Sequence, residues 1–240
     1  MDLLKEVEDN DKELHLDSDT YTMAFKALNW NNMKQMELNN DEVHEAFQAA
    51  LFVFFIQFVL IVILGVICFT GAEGFMILLP QNLSVLGARF VCSILMHMQV
   101  ESDMRQGLQM MKYVTNHSKE FSNPFYAFIV ALMQCLGGIA AEIFCIIFLC
   151  SLANPIDIII RFIAFSSIGK VDNFYAAALS PDHKLKRHSE DLEIKVRRHE
   201  LVNTKRNASH YASRFIYKFI RIIYASFLFY FLPYMSLFIP

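Results

Sequence analysis

Runs of apolar residues alternate with short polar breaks from Ala46 to the last residues of the chain, and their lengths set the first expectations. Residues 46–70 contain no charged side chain, and at about 1.5 Å per residue a helix of that length exceeds the roughly 30 Å hydrocarbon core of a bilayer. Residues 125–151 are equally apolar, with Glu142 as the one charge. Residues 83–100 form a shorter block that carries Arg89 and His97, and 156–179 is interrupted by Asp157, Arg161, Lys170 and Asp172. Residues 216–239 are apolar apart from Lys218 and Arg221 near their start. The pattern predicts an all-α, multi-pass integral membrane protein with about five membrane segments: 46–70, 83–100, 125–151, 156–179 and 216–239. The second and fourth are the weaker signals: both could instead lie along the interface, and the fourth could also re-enter as a broken helix.

The breaks between blocks are chemical as well as hydropathic. Gly71, Gly74 and Pro80 release the chain after the first block, and Asn123-Pro124 and Asn154-Pro155 bracket the third. Before Asn40 the sequence is polar and helix-prone, interrupted near 17–20, so two short helices outside the bilayer are expected, with Asn40 as the cap of the first long helix. The expected organisation is an acidic cytosolic helical arm (1–45), a membrane bundle (46–179), a charged cytosolic helix (180–213) and a final membrane helix (214–240). The first 20 residues have no apolar core or basic leader, so the first hydrophobic helix is expected to direct insertion itself.

Composition agrees with lipid as the solvent: 55% of the 240 residues are hydrophobic and 19% charged, against averages of about 45–50% and about 25% in soluble domains. The net charge of −3 hides a division. Residues 1–45 carry 12 acidic and 4 basic side chains (4 − 12 = −8), whereas 183–221 carry 11 basic and 4 acidic ones (11 − 4 = +7). Positive charge beside an apolar segment is a topology signal rather than a nucleic-acid footprint, and it places 183–221 in the cytosol. An amino terminus on the same side requires an even number of crossings before that segment. Four satisfy this if 156–179 spans, and two if 83–100 and 156–179 both lie in the interface.

The five cysteines all lie in apolar blocks without a C-x-x-C pair, which favours buried thiols over a disulfide framework. No nucleotide, metal or nucleophile motif is present, the histidines lack metal-ligand spacing, and neither an enzyme nor a cofactor is expected. Candidate chemistry rests on ionisable groups inside the blocks, each costing at least about 2.5–3.5 kcal/mol at a helix centre unless paired or hydrated. Counting inward from the helix ends puts Arg89 and Glu142 within reach as a buried pair, with Gln134 near the same face of its helix and Asp157 and Arg161 paired four residues apart. These five are the candidate polar network or pathway. Gly137, Gly138 and Ala141 mark a close helix contact, while Arg197, Arg198, Lys218 and Arg221 are candidates for lipid headgroup contact. The leading expectation is a subunit of an ion-conducting or transporting membrane assembly. The alternative is a structural or accessory subunit in which the same residues only brace helices. Either would have membrane lipids and further copies of itself or other membrane subunits as partners, and no nucleic acid.

Overall fold

The computed structural model describes residues 12–14, 16, 18–69, 82–180, 182–187, 194–196 and 208–238. Within them the chain is a helical bundle. Two short helices, α1 (Thr20–Ala27) and α2 (Trp30–Gln35), precede three long ones: α3 (Asn40–Phe69), α4 (Leu83–Asn116) and α5 (Pro124–Cys150). Then come α6 (Pro155–Gly169), α7 (Val171–Ala178), α8 (Lys184–Arg187) and α9 (Ala208–Ile223), the last running through a π-helical segment (Tyr224–Leu228) into α10 (Phe229–Phe238). One small ribbon pairs β1 (Lys12–Leu14) antiparallel with β2 (Ile194–Val196).

The polar breaks in the sequence become helix caps. Asn123 accepts from the amides of Phe125 and Tyr126 ahead of Pro124, and Asn154 accepts from that of Ile156 ahead of Pro155. In both cases proline occupies a first-turn position whose missing N–H costs nothing. The first long helix is capped one residue earlier than expected, because Glu42 reaches back to the Asn39 amide at 2.8 Å, half of a capping box.

Helices α3, α4 and α5 are long and apolar enough to cross a membrane, and the α9–α10 pair, bent by 43°, makes a fourth candidate. At 34 residues α4 extends about 51 Å, longer than the roughly 30 Å of a hydrocarbon core, and its second half is polar. Their outward faces suit lipid: Phe52, Phe55, Phe58 and Ile63 of α3 are exposed, as are Val91, Leu95 and Met98 of α4. The expected fourth segment, 156–179, is not one long helix. It breaks at Lys170 into α6 and α7, and the 15 residues of α6 fall short of the roughly 20 needed for a crossing. The two pieces nevertheless carry the chain back along the bundle. Leu152, just before α6, lies beside Arg89 near the start of α4, whereas Lys184, after α7, pairs with Glu42 at the start of α3. The amino-terminal arm and the basic segment therefore share one end, which the β1–β2 ribbon also joins. That segment is not the continuous helix expected over 180–213. Its described residues form a single helical turn, α8, the strand β2 and, from Ala208, the start of α9.

Antiparallel packing of α4 on α5 dominates the core. A Cβ added at Gly107 would lie 2.6 Å from Cys135 Sγ and 3.2 Å from the Ala131 carbonyl oxygen, so only glycine lets the two helices approach this closely. Gly138 plays a similar part, since an added Cβ would meet Val100 at 3.1 Å, and Ala141 is fully buried nearby. Gly137 instead faces Gln57 of α3 at an ordinary contact distance of 3.4 Å. The small-residue pattern in α5 marked one side of this seam, and Gly107 supplies its tightest point from the other.

Candidate functional site

Polar side chains line the α4–α5 seam in two groups. Arg89, Ser93 and His97 recur every four residues on one buried face of α4, where residues that far apart stack. Ser93 returns its hydroxyl to the Arg89 carbonyl oxygen at 2.8 Å. Opposite His97 stands Glu142, which is 0% exposed, with Oε1 2.6 Å from His97 Nδ1. One proton between these atoms satisfies both, but Glu142 Oε2 is buried without a partner. The His97 ring also packs on Phe229 at the start of α10, with centroids 5.2 Å apart.

The expected Arg89–Glu142 pair is therefore not formed. Arg89 Nη2 donates to the Leu152 carbonyl oxygen at 2.9 Å, beyond the end of α5. In the antiparallel register His97 lies level with Glu142, so Arg89, eight residues back and about 12 Å away, lies level with the last turn of α5. Counting from the helix ends puts the two roughly 6 Å apart in depth, about one turn short of the separation that the register sets. His97 was visible in the sequence as a polar residue within the second block, and its four-residue spacing from Ser93 and Arg89 was the signal that could have identified it.

A second polar group lies nearer the basic end and is organised by α1, all eight residues of which are buried. Asp19 caps α1 by accepting from the Thr22 amide at 2.6 Å through Oδ1. Its Oδ2 accepts from Gln106 Nε2 of α4 at 2.9 Å and from Gln134 Nε2 of α5 at 3.1 Å. Gln106 also donates to the Thr22 hydroxyl. Tyr21 donates to Gln57 Oε1 of α3 at 2.6 Å, and Gln57 Nε2 in turn donates to the Ile168 and Gly169 carbonyl oxygens that end α6. Thr20 donates to the Asp172 carbonyl oxygen in α7 at 2.6 Å. A segment whose charge suggested a solvated arm thus fastens five helices. Gln134 belongs to this group and not to the surroundings of Glu142, two turns away along α5.

Between the groups, Val100 and Met104 close the seam against Gly138. Asp157 is exposed in the first turn of α6, where the helix dipole favours a carboxylate, and it makes no ion pair with half-buried Arg161. Lys218 and Arg221 are exposed on α9. Arg197 and Arg198 lie outside the described residues. All four cysteines whose side chains are described are buried and unbridged. Among the described residues no group of three or more His, Cys, Asp or Glu side chains could hold a metal ion.

Asp172 of α7 is buried beside the second polar group, with its Oδ1 unpartnered.

Comparison with family models, with curated proteins and with solved structures found no match.

Proposed function

We propose that this chain is a subunit of an oligomeric membrane assembly that moves protons or small cations along the α4–α5 seam, with His97 and Glu142 as the exchanging pair. The observation that carries this reading is the file of buried polar side chains along the seam. Arg89, Ser93, His97 and Glu142 are followed, past the Val100–Met104 closure, by Gln106, Gln134 and Asp19. From Arg89 to Gln106 the file covers 17 residues of α4, about 26 Å, which approaches the thickness of the hydrocarbon core. Ionisable side chains at that depth are costly and mark conduction routes or proton relays more often than they occur by chance. A carboxylate and an imidazole sharing a proton form a natural relay, since either can release or accept it with little movement.

In this reading the amino terminus and the basic segment are cytosolic, and α6 with α7 serves as a broken fourth crossing of five inside the assembly. The exposed isoleucines of α6, Ile156, Ile159, Ile160 and Ile163, suit lipid or a neighbouring subunit. A second reading is favoured by the tight contact of Val100 and Met104 with Gly138: the seam is a permanent brace, and the chain organises a larger complex without conducting.

Glu142→Gln separates the two, because it keeps the shape and removes the exchangeable charge. With protein reconstituted in liposomes, proton uptake driven by a pH gradient should fall by about a hundredfold or more, the order associated with loss of a positioned acid–base group. Absence of any conductance in the native protein, together with loss of assembly in the variant, would leave the brace.

A further inference from the structure

Where the polar half of α4 leaves the bundle, it forms one wall of an open groove of about 420 Å³, with α9, the π-helical segment and the start of α10 as the other wall. We propose that this groove seats the phosphate headgroup of an anionic phospholipid, a site independent of any conduction along the seam.

The charge is correct for this ligand. Arg105 and Lys112 on α4 and Arg221 on α9 line the groove against a single acidic side chain, Glu101. Glu101 pairs with Arg105 one turn along α4, so Lys112 and Arg221 remain uncompensated. Arg221 is held toward the groove by Tyr217, whose hydroxyl accepts from its Nη1 at 3.3 Å, and Lys112 is exposed. Antiparallel packing brings the cations together. His97 packs on Phe229 and Phe90 on Tyr234, so moving eight residues from the first contact toward the basic end brings both helices to Arg105 and Arg221.

The groove also has the polarity gradient of a lipid. Its cations lie toward the basic end of the molecule, while Phe229 and Tyr230 line the end toward the apolar body of α10. The opposite face of α9 presents Phe215, Phe219 and Ile222, an amphipathic arrangement suited to a helix at the level of the headgroups. Tyr224, 5% exposed, lines the floor, and its hydroxyl is buried with no partner. Because that hydroxyl is closed off from the groove, Tyr224 meets a lipid through its ring, which packs edge-on against Phe229. The π-helical geometry that positions it is rare and recurs at functional sites.

Native mass spectrometry of the detergent-solubilised protein tests the site by counting lipid adducts during titration with phosphatidylserine or phosphatidylcholine. Phosphatidylserine should be retained preferentially. Lys112→Gln and Arg221→Gln should each weaken that retention about fivefold, the effect of one basic side chain near an anionic surface. Lys112→Arg should preserve it, and Lys34→Gln on α2, away from the groove, should leave it unchanged. Equal weakening by Lys34→Gln would reduce the effect to overall charge and overturn the site. So would absence of selectivity between the two lipids. Displacement of phosphatidylserine by inorganic phosphate at equal concentration would assign the groove to a soluble anion instead.

Discussion

Replacing His97 with leucine is expected to lower unfolding stability in lipid–detergent micelles by about 3–5 kcal/mol, because it strands a carboxyl group in the interior. Glu142 is 0% exposed, one of its oxygens already lacks a partner, and the other depends on His97. Two smaller terms accompany the change. The imidazole–Phe229 ring contact contributes about 0.5–1.5 kcal/mol, and a hydrogen bond between membrane helices contributes about 1–2 kcal/mol at most. Neither approaches the cost of leaving a buried acid unpaired, so the carboxyl dominates. That ordering has a signature. Glu142→Leu alone should cost less than His97→Leu, since a neutral imidazole left without its partner carries only the penalty of an unsatisfied buried polar group, about 1–3 kcal/mol. The double substitution should be milder than the sum of the two, and the double-mutant cycle gives the coupling directly. Additive losses would mean that the two side chains stabilise the seam independently, and the relay reading of the pair would lose its physical basis.

The parts of this fold that were legible in the sequence are those fixed by local chemistry. A block as apolar as 46–70 has no arrangement other than a long helix that leaves its backbone satisfied in lipid, and Asn-Pro pairs both cap and start helices, so α3 and α5 lie where their pattern puts them. The fourth block was harder because hydropathy averages over Lys170, whereas the backbone breaks there. Register between helices is a property of packing and not of either sequence. Arg89 and Glu142 were individually conspicuous, yet which residue met the carboxylate depended on the close approach that Gly107 and Gly138 allow. The amino-terminal arm misled for a related reason. Its acidic composition describes a solvated segment on average, but Asp19, Tyr21 and Thr22 are single residues whose partners, Gln106, Gln134 and Gln57, lie far along the chain. Glutamines within apolar helices were the available clue, since each needs several hydrogen bonds that lipid cannot supply.

Asp19 accordingly carries more than its place in an acidic stretch suggests, and Asp19→Ala should destabilise the protein by about 3–5 kcal/mol. Loss of the α1 cap costs about 1 kcal/mol. The larger part comes from Gln106 and Gln134, whose buried amides would each lose a charged acceptor, at about 1–3 kcal/mol for every donor left unmade. Gln106 keeps the Thr22 hydroxyl as a second partner, which places its share at the lower end, whereas Gln134 Oε1 is already unpartnered and has no compensating bond. Asp19→Asn distinguishes the terms. The amide oxygen can still cap α1 through the Thr22 amide, but the amide nitrogen cannot accept from either glutamine, so this variant should recover only the cap. Unfolding by denaturant in micelles measures the difference between the two variants. If Asn restored full stability, the carboxylate would be acting as a simple cap and α1 would owe its place to apolar burial. If Asn recovers only the cap's share of about 1 kcal/mol, the glutamine contacts hold the amino-terminal helix in the bundle, and through Thr20 and Tyr21 they also hold α7 and the end of α6. Proteolysis within α1 should then accelerate in both variants, because a helix buried on every side is cut only after it leaves the bundle.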